Sequence, residues 1–466
     1  MTGTADEARV LDVPLDWTMP KLGKRIVPPG GSVETASGHD TVTTHDTADG
    51  DLAAAGVSLR RSAGTDATWT LTVGGASSEF PAEGRGVPAA LRELLLGVRA
   101  GGALRSAGRT TAERTVHRVL SADGVEVGTI TDVRSTDVRS GAARDGGSGA
   151  ELAERRHVEV AGWDGPFLDT AVARLVRAGA VERRDVPPAP GQTVGDVVRA
   201  FLAEQRTAIV LADLGLRRGE DAIHPFRVAI RRVRSALRVV TIAEAEPREL
   251  LDTELQWLSA LLGAVRDAQV LRDHLDETHA ELARRESLDL AGTVDLLDGA
   301  LRADEAAARA ALTKAMTGRR YLALLRTLRQ WTTNPAFTSV ADAPRARLAR
   351  YVRAGAKDLD RRLARAGDSP HRLHGARKAA KRVRYVVAFV DEAGGAAGKH
   401  AARIEKRARK LQARLGVHQD SVVAADFVAR TAATARGQAA FGCGVVWAYE
   451  QERATAALRR AVDLAG

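Results

Sequence analysis

Two segments of the chain place a histidine ahead of basic residues at one-turn helical spacing. In the first, His224 precedes Arg227, Arg231, Arg234 and Arg238; in the second, 150 residues later, His374 precedes Arg377, Lys381 and Arg384. At about 100° per residue these cations share one side of a helix. Phe226, Ala229, Ile230, Val233, Leu237 and Val240 fall on the opposite side, as do Ala376, Ala380, Val383, Val387 and Val390 in the second copy. Each segment is expected to bury one face and offer the other to anions. Like charges one turn apart repel by a few tenths of a kcal/mol per pair. Neither Phe226 to Val240 nor Leu373 to Val390 contains a carboxylate, so compensation must come from elsewhere in the fold or from a ligand. A chain of phosphates matches the repeated ~5 Å spacing better than one small anion does, and histidine adds a charge that changes near neutral pH.

A second block repeats in the same order. Leu258, Leu262, Gly263 and Asp267 return as Leu411, Leu415, Gly416 and Asp420, 153 residues on, so a helical unit is duplicated. One basic stripe alone reads as a solvated face with a core histidine; two in register read as a binding surface. A further stripe, Arg403, Arg407, Lys410 and Arg414, has no duplicate, its counterparts including Glu254 and Trp257. Arg407 and Lys410 nevertheless join the candidate anion ligands. Asp267 and Asp420 read as loop caps or as orienters of an arginine, the structural role being favoured.

These stripes need helices to carry them, and from Val194 onward long Ala/Leu/Arg segments run with a period near 3.6. A break at Thr332 to Pro344 separates a first repeat at about 194–331 from a second at about 345–466. Before that half stands a Pro-rich hinge, DVPPAPGQ, within a linker at 185–193. Residues 1–184 read differently: VSLRRS, TWTLTV, RTVHRVL, VEVGTITDV and RRHVEVAGW are strand-like runs between turn residues. Helices are expected at Val87 to Val98 and Phe167 to Ala178, and a flexible loop at Ser140 to Gly149. The expected fold class is therefore multidomain α+β, an antiparallel β domain followed by an all-α one.

Charge follows the same division. Residues 1–187 carry 22 basic and 26 acidic side chains, and residues 191–466 carry 47 and 33, so a polyanion partner is expected for the second half only. One cysteine, Cys443, excludes an internal disulfide and a structural zinc ribbon, and fits a reducing compartment. Neither a signal peptide nor an apolar span of ~18 residues is visible, so a cytoplasmic protein without membrane contact is expected. Aromatics at 4% leave few platforms for stacking bases, which favours phosphate over nucleobase recognition.

The blocks HPFRVAIRRVRSALRVV, LGAVRDAQVL, HGARKAAKRVRYVV and LQARLGVHQD resemble the conserved histidine α-helical domain family, CHAD, over about residues 194–466. The resemblance implies two pseudo-symmetric helical bundles enclosing a basic surface that binds inorganic polyphosphate, and members associated with polyphosphate granules. It assigns binding to His224, Arg227, Arg231, Arg234, His374, Arg377, Lys381 and Arg384. The first half is similar to the CYTH family, on THDTADGDLAAAGVSLRRS, TWTLTV, RTVHRVL and RRHVEV. That likeness implies an eight-stranded tunnel holding triphosphate and a divalent metal. Yet the E-x-E-x-K strand of such enzymes is replaced by ARVLDVPLDW, the expected lysine in TWTLTV is Thr72, and the late carboxylate pair has become His157-x-Glu159. Mg²⁺ or Mn²⁺ needs several oxygen ligands to activate water, so an inactive tunnel is expected, with no metal, no cofactor and no catalytic residue. Arg60, Arg61, Arg114 and Glu159 are left as weak anion contacts or ordinary ion pairs.

The expected function is non-catalytic polyphosphate binding by the helical half. The alternatives are a metal-dependent triphosphatase in the first half, and nucleic-acid backbone binding by the same basic helices without base preference.

Overall fold

The computed structural model describes residues 8–23, 25–64, 67–82, 84, 86–140, 150–162, 165–183, 193–285, 290–365, 370–392 and 398–462. Most of the expected Ser140 to Gly149 loop and of the 185–193 linker lies outside the described residues. The chain divides into two compact units, Met1–Pro188 and Ala189–Gly466.

The first unit is built on one antiparallel sheet. Its strands are β1 (Arg9–Asp12), β2 (Ser32–Asp46), β3 (Val57–Ser62), β4 (Thr68–Val73), β5 (Ala76–Pro81), β6 (Arg105–Leu120), β7 (Glu126–Ser140), β8 (Ala150–Gly162) and β9 (Val181–Glu182). They lie in the order β5-β4-β3-β2-β6-β7-β8-β1-β9. Among the described residues nine strands stand where eight were expected, the ninth being a two-residue pairing of Glu182 and Val181 with Leu11 and Asp12. Three short helices accompany the sheet, α1 (Asp51–Ala54), α2 (Ala89–Leu94) and α3 (Gly165–Arg177). Strand alternation sends Val158 and Val160 into a core with Leu11, Val119, Ile130 and the α3 residues Phe167, Ala171 and Leu175. Gly128 makes that packing possible, because a Cβ there would lie 2.2 Å from the Phe167 ring. The intervening residues of β8 face the other way, into a polar cavity.

The second unit is helical: α4 (Val194–Arg217), α5 (Ile223–Val239), α6 (Ala245–Arg285), α7 (Ala291–Met316), α8 (Arg319–Thr333), α9 (Ala349–Ala364), α10 (Pro370–Glu392), α11 (Gly398–Ala432) and α12 (Gly437–Val462). Thr193 opens α4 with a capping box to Asp196, and Pro370 opens α10 where a missing N–H costs nothing. The neighbour packing α4–α5–α6–α7 is repeated by α9–α10–α11–α12, and the copies meet through α5 on α10, α6 on α11 and α7 on α12. Helix α8 has no counterpart and packs on α4, α6 and α7. The segment after it is integral to the bundle. The Val194 amide donates to the Ala343 carbonyl at 2.8 Å, and the Thr338 amide to the Ile242 carbonyl at 2.7 Å. No described helix is long and apolar enough to cross a membrane.

Candidate functional site

Helices α5 and α10 carry the two stripes. Phe226, Ala229, Ile230, Val233, Leu237 and Val240 are buried, as are Ala376, Ala380, Val383, Val387 and Val390. With one face fixed in the core, each helix turns its cations away from it, and α5–α10 packing brings the two sets together. Lys381 of α10 lies in the field of Arg377 on its own helix and of Arg231 and Arg227 on α5. Arg231 also lies 5.4 Å from the Tyr385 ring centroid, a cation–π contact across the copies.

The fold neutralises this surface unevenly. At one end, Asp252 of α6 accepts from Arg234 Nε at 2.9 Å and from Arg238 Nη2 at 2.7 Å. Burial alone would raise the Asp252 carboxyl, but those hydrogen bonds hold it below the usual carboxylate range. At the centre compensation is sparse. Arg227 approaches an exposed Asp267 at 3.5 Å, and Asp420 is the carboxylate acting on Arg377 and Lys381. Burial, then the neighbouring guanidinium groups, lowers Lys381 to about 8, with Asp420 opposing. Nη1 of Arg227, Nε of Arg231 and Nε of Arg377 are buried without a hydrogen-bond partner among the described residues.

Asp267 and Asp420 sit in the interiors of α6 and α11, not at loops, so the cap reading is corrected: each is aimed at an arginine. The glycine one turn earlier has a matching purpose. A Cβ on Gly263 would stand 2.9 Å from Arg227 Nη1, and one on Gly416 would stand 3.8 Å from Arg377 Nη2. In both copies the Leu-Gly-x-x-x-Asp block thus lays an arginine against a glycine and faces it with a carboxylate, and in the first copy the glycine is needed to clear space for it.

His224 is exposed on the first turn of α5 and is not a core histidine. Arg384 is half-buried on α10, and Arg403 and Lys410 are exposed on α11. The side chains of His374, Arg407 and Arg414 lie outside the described residues. In the first copy the positions matching Arg407 and Lys410 are occupied otherwise: Glu254 accepts from Arg320 of α8 at 2.7 Å, and that guanidinium stacks 4.3 Å from the Trp257 centroid. Asp252 is the residue that sequence reasoning missed. It stands two turns into α6 among Glu246, Glu249 and Glu254, so nothing in the sequence singles it out, and only the α5–α6 packing places it on the stripe.

The first unit holds a cavity of about 290 Å³ lined by every second residue of four strands: Asp40, Val42 and Thr44; Thr110, Ala112 and Arg114; Val133, Ser135 and Asp137; Arg155, His157 and Glu159, with Arg60 and Arg183. Of the candidates there, Arg60, Arg114 and Glu159 line it. Arg61, the next residue on β3, points away and donates to the Gly84 carbonyl at 3.3 Å. Thr72 bonds Ser77 on β5 at 2.8 Å. The carboxylates are committed to other partners. Asp40 pairs with Arg114 at 3.2 Å, Glu159 with His157 at 3.1 Å, Asp137 accepts from Thr110 at 2.6 Å, and nearby Asp12 pairs with Arg183. The His157 hydrogen bond holds Glu159 below the usual carboxylate range despite burial. Among the described residues no three His, Cys, Asp or Glu side chains are placed to share a metal ion. This donor set does not fit the divalent cation that the tunnel resemblance implies.

Comparison with known proteins places the helical unit. A profile for the CHAD domain matches residues 200–429. Two Mycobacterium tuberculosis sequences, "Uncharacterized protein MT2285" and "Uncharacterized protein Rv2226", are each 29% identical over 470 residues, covering 89% of this chain and 88% of their own length. Among solved structures, PptA from Streptomyces chartreusis aligns with a TM-score of 0.50 at 22% identity, over 59% of this chain and 99% of its own. The CHAD domain from the plant Ricinus communis aligns at 0.48 and 26%, over 60% and 95%.

Proposed function

Residues 200–429 are a CHAD domain, and from that premise we propose that the chain binds inorganic polyphosphate, without catalysis, through a centre formed by Arg227, Arg231, Arg377 and Lys381. The observation that carries this reading is the set of buried, unpartnered N–H groups on Arg227, Arg231 and Arg377. Each unmet buried donor costs about 1–3 kcal/mol, a cost that a phosphate oxygen removes. Arginine supplies forked donors to those oxygens and lysine a mobile point charge. Phosphates along a chain also repeat, as the cationic positions of each stripe do. His224, Arg384 and Lys410 extend the surface outward from this centre. Arg234 and Arg238, already served by Asp252, contribute less than their place in the stripe implies.

The test is a calorimetric titration of the full chain with medium-length polyphosphate at two salt concentrations, with sheared DNA as competitor and phosphate release assayed in the same samples. Tight binding that weakens steeply with salt, resists DNA and releases no phosphate is the expected result. Absence of binding overturns the reading; displacement by DNA at equal phosphate concentration makes the site a general backbone binder; metal-dependent release makes the chain an enzyme.

A further inference from the structure

Lys381 stands apart from the other cations of the centre. It is half-buried where α10 packs on α5 and α11, one turn from Arg377 and one turn from Tyr385, whose ring Arg231 contacts, and the charged groups around it are almost all of its own sign: Arg227 and Arg231 from α5 and Arg377 from α10, against Asp420 from α11. From α9 the charged groups belong to a different neighbour, since Asp358 accepts from Arg362 and from Arg382, the next residue of α10. Arginine keeps its proton under any such pressure, whereas lysine can shed one. The ammonium of Lys381 is therefore the one charge in the centre that the ligand-free fold can discard.

We propose that Lys381 makes ligand capture proton-linked: the free site releases its proton at mildly alkaline pH, and an arriving polyanion draws one back from solvent. This rests on the polyphosphate reading above. The amine takes the proton, the buffer supplies it, and no bond to phosphorus forms or breaks. With the free side chain near 8 and the occupied one returned to at least its ordinary range, affinity falls about tenfold from pH 7 to pH 9. Proton uptake per bound site rises over the same interval from ~0.1 to ~0.9. The interior phosphates of a long chain are fully ionised throughout this window, so the ligand contributes no matching change.

The experiment titrates the full chain with medium-length polyphosphate at pH 7, 8 and 9 in Tris and in HEPES, whose ionisation heats differ. Lys381→Arg is titrated in parallel, and the ligand-free protein carrying ¹³C-labelled lysine is followed by NMR, the Lys381 signal being the one absent from that variant. The expected results are a tenfold decline, a buffer-dependent heat at pH 8, a decline confined to the histidine range below pH 8 in Lys381→Arg, and a Lys381 signal titrating near 8. Binding that stays flat from pH 7 to pH 9, an undiminished slope between pH 8 and pH 9 in Lys381→Arg, or a signal titrating near 10.5 overturns the inference and leaves polyphosphate binding standing. No binding at any pH overturns the polyphosphate reading itself.

Discussion

Replacing the two repeat glycines by alanine separates stability from binding within one pair of variants. Gly263 and Gly416 occupy interior positions of long helices, where glycine is less favourable than alanine by about 0.8–1.0 kcal/mol. On propensity alone both variants should gain about 2 °C in melting temperature for a unit of this size. The sites differ in what the new methyl group meets. At Gly416 the nearest arginine atom is 3.8 Å away, an ordinary contact, so Arg377 stays where it is. At Gly263 the distance is 2.9 Å to Arg227 Nη1, and that guanidinium must retreat by about 0.5–1 Å, beyond the favourable range for non-bonded atoms. Arg227 is the end of a flexible side chain, so the retreat is cheap for the fold and costly for the site. A charge-assisted hydrogen bond is worth about 1.5–3 kcal/mol, so Gly263→Ala should bind polyphosphate about tenfold more weakly or worse. Gly416→Ala should bind as the parent does. Thermal melting by circular dichroism and fluorescence anisotropy with labelled polyphosphate read the two properties independently. Unchanged affinity in Gly263→Ala, or equal losses in both variants, would refute the assignment of Gly263 as clearance for a ligand-binding arginine.

Three further outcomes follow from the same geometry. Asp252→Asn unmasks Arg234 and Arg238 and should tighten polyphosphate binding by a few-fold at low salt, steepening its salt dependence by about one in logarithmic slope, measured by anisotropy across a salt series. The double replacement Arg231→Glu with Lys381→Glu should reduce affinity by at least ~100-fold while the helical circular dichroism spectrum is unchanged, since both side chains lie off the apolar faces that fix α5 and α10 in the core and each glutamate would still face arginines. Glu450 of α12 is fully buried against α6, where burial would raise its carboxyl but His274, 3.0 Å away, and a hydrogen bond from Thr278 hold it below the usual range. The unfolded chain therefore takes up this proton first. The Glu450 contribution is complete above the ordinary carboxylate pKa and is lost as pH falls through the lower folded value. Glu450→Gln should unfold about 1–3 kcal/mol more easily at pH 7 and show a shallower loss of stability on acidification, by urea titration at pH 7 and pH 3.

What could be read before the structure and what could not divide along physical lines. Burial periodicity is local, so the sequence names the apolar faces of α5 and α10 residue by residue, and every one of those positions is buried. Strands with apolar alternation were equally visible, VSLRRS and TWTLTV coinciding with β3 and β4. Strand β2 was missed over most of its length because SVETASGHDTVTTHD has almost no apolar alternation. Its first eight residues are exposed, and its partner strand β6 holds it from Ser32 to Asp46 through backbone pairing. The cavity ligands Arg155 and Arg183 escaped notice for a related reason. They meet Arg60 and Arg114 only because antiparallel register brings four separate strands to one face. Pairwise compensation is the least legible property of all. The stripe of five cations looked uniformly unmet, yet Asp252 settles one end of it and leaves the other open.

That uneven settlement gives the duplication its meaning. If the stripes served only as solvated faces, each copy would be expected to compensate its cations in the same way, because the two helices arose from one pattern. Instead the first copy spends Asp252 on Arg234 and Arg238, and sets Arg320 of the unduplicated α8 against Glu254 and Trp257, the positions where the second copy keeps Arg407 and Lys410. The outer parts of the two stripes have diverged. The parts that meet across α5 and α10 have not: Arg227 and Arg377 each lie against a helix glycine with an aspartate one turn beyond it, the glycine being required as clearance only at Arg227. The features kept in both copies are those that hold an arginine in place without satisfying it. An arrangement that bears this cost twice, at the contact between repeats, is explained by an anion spanning both copies and not by either helix alone.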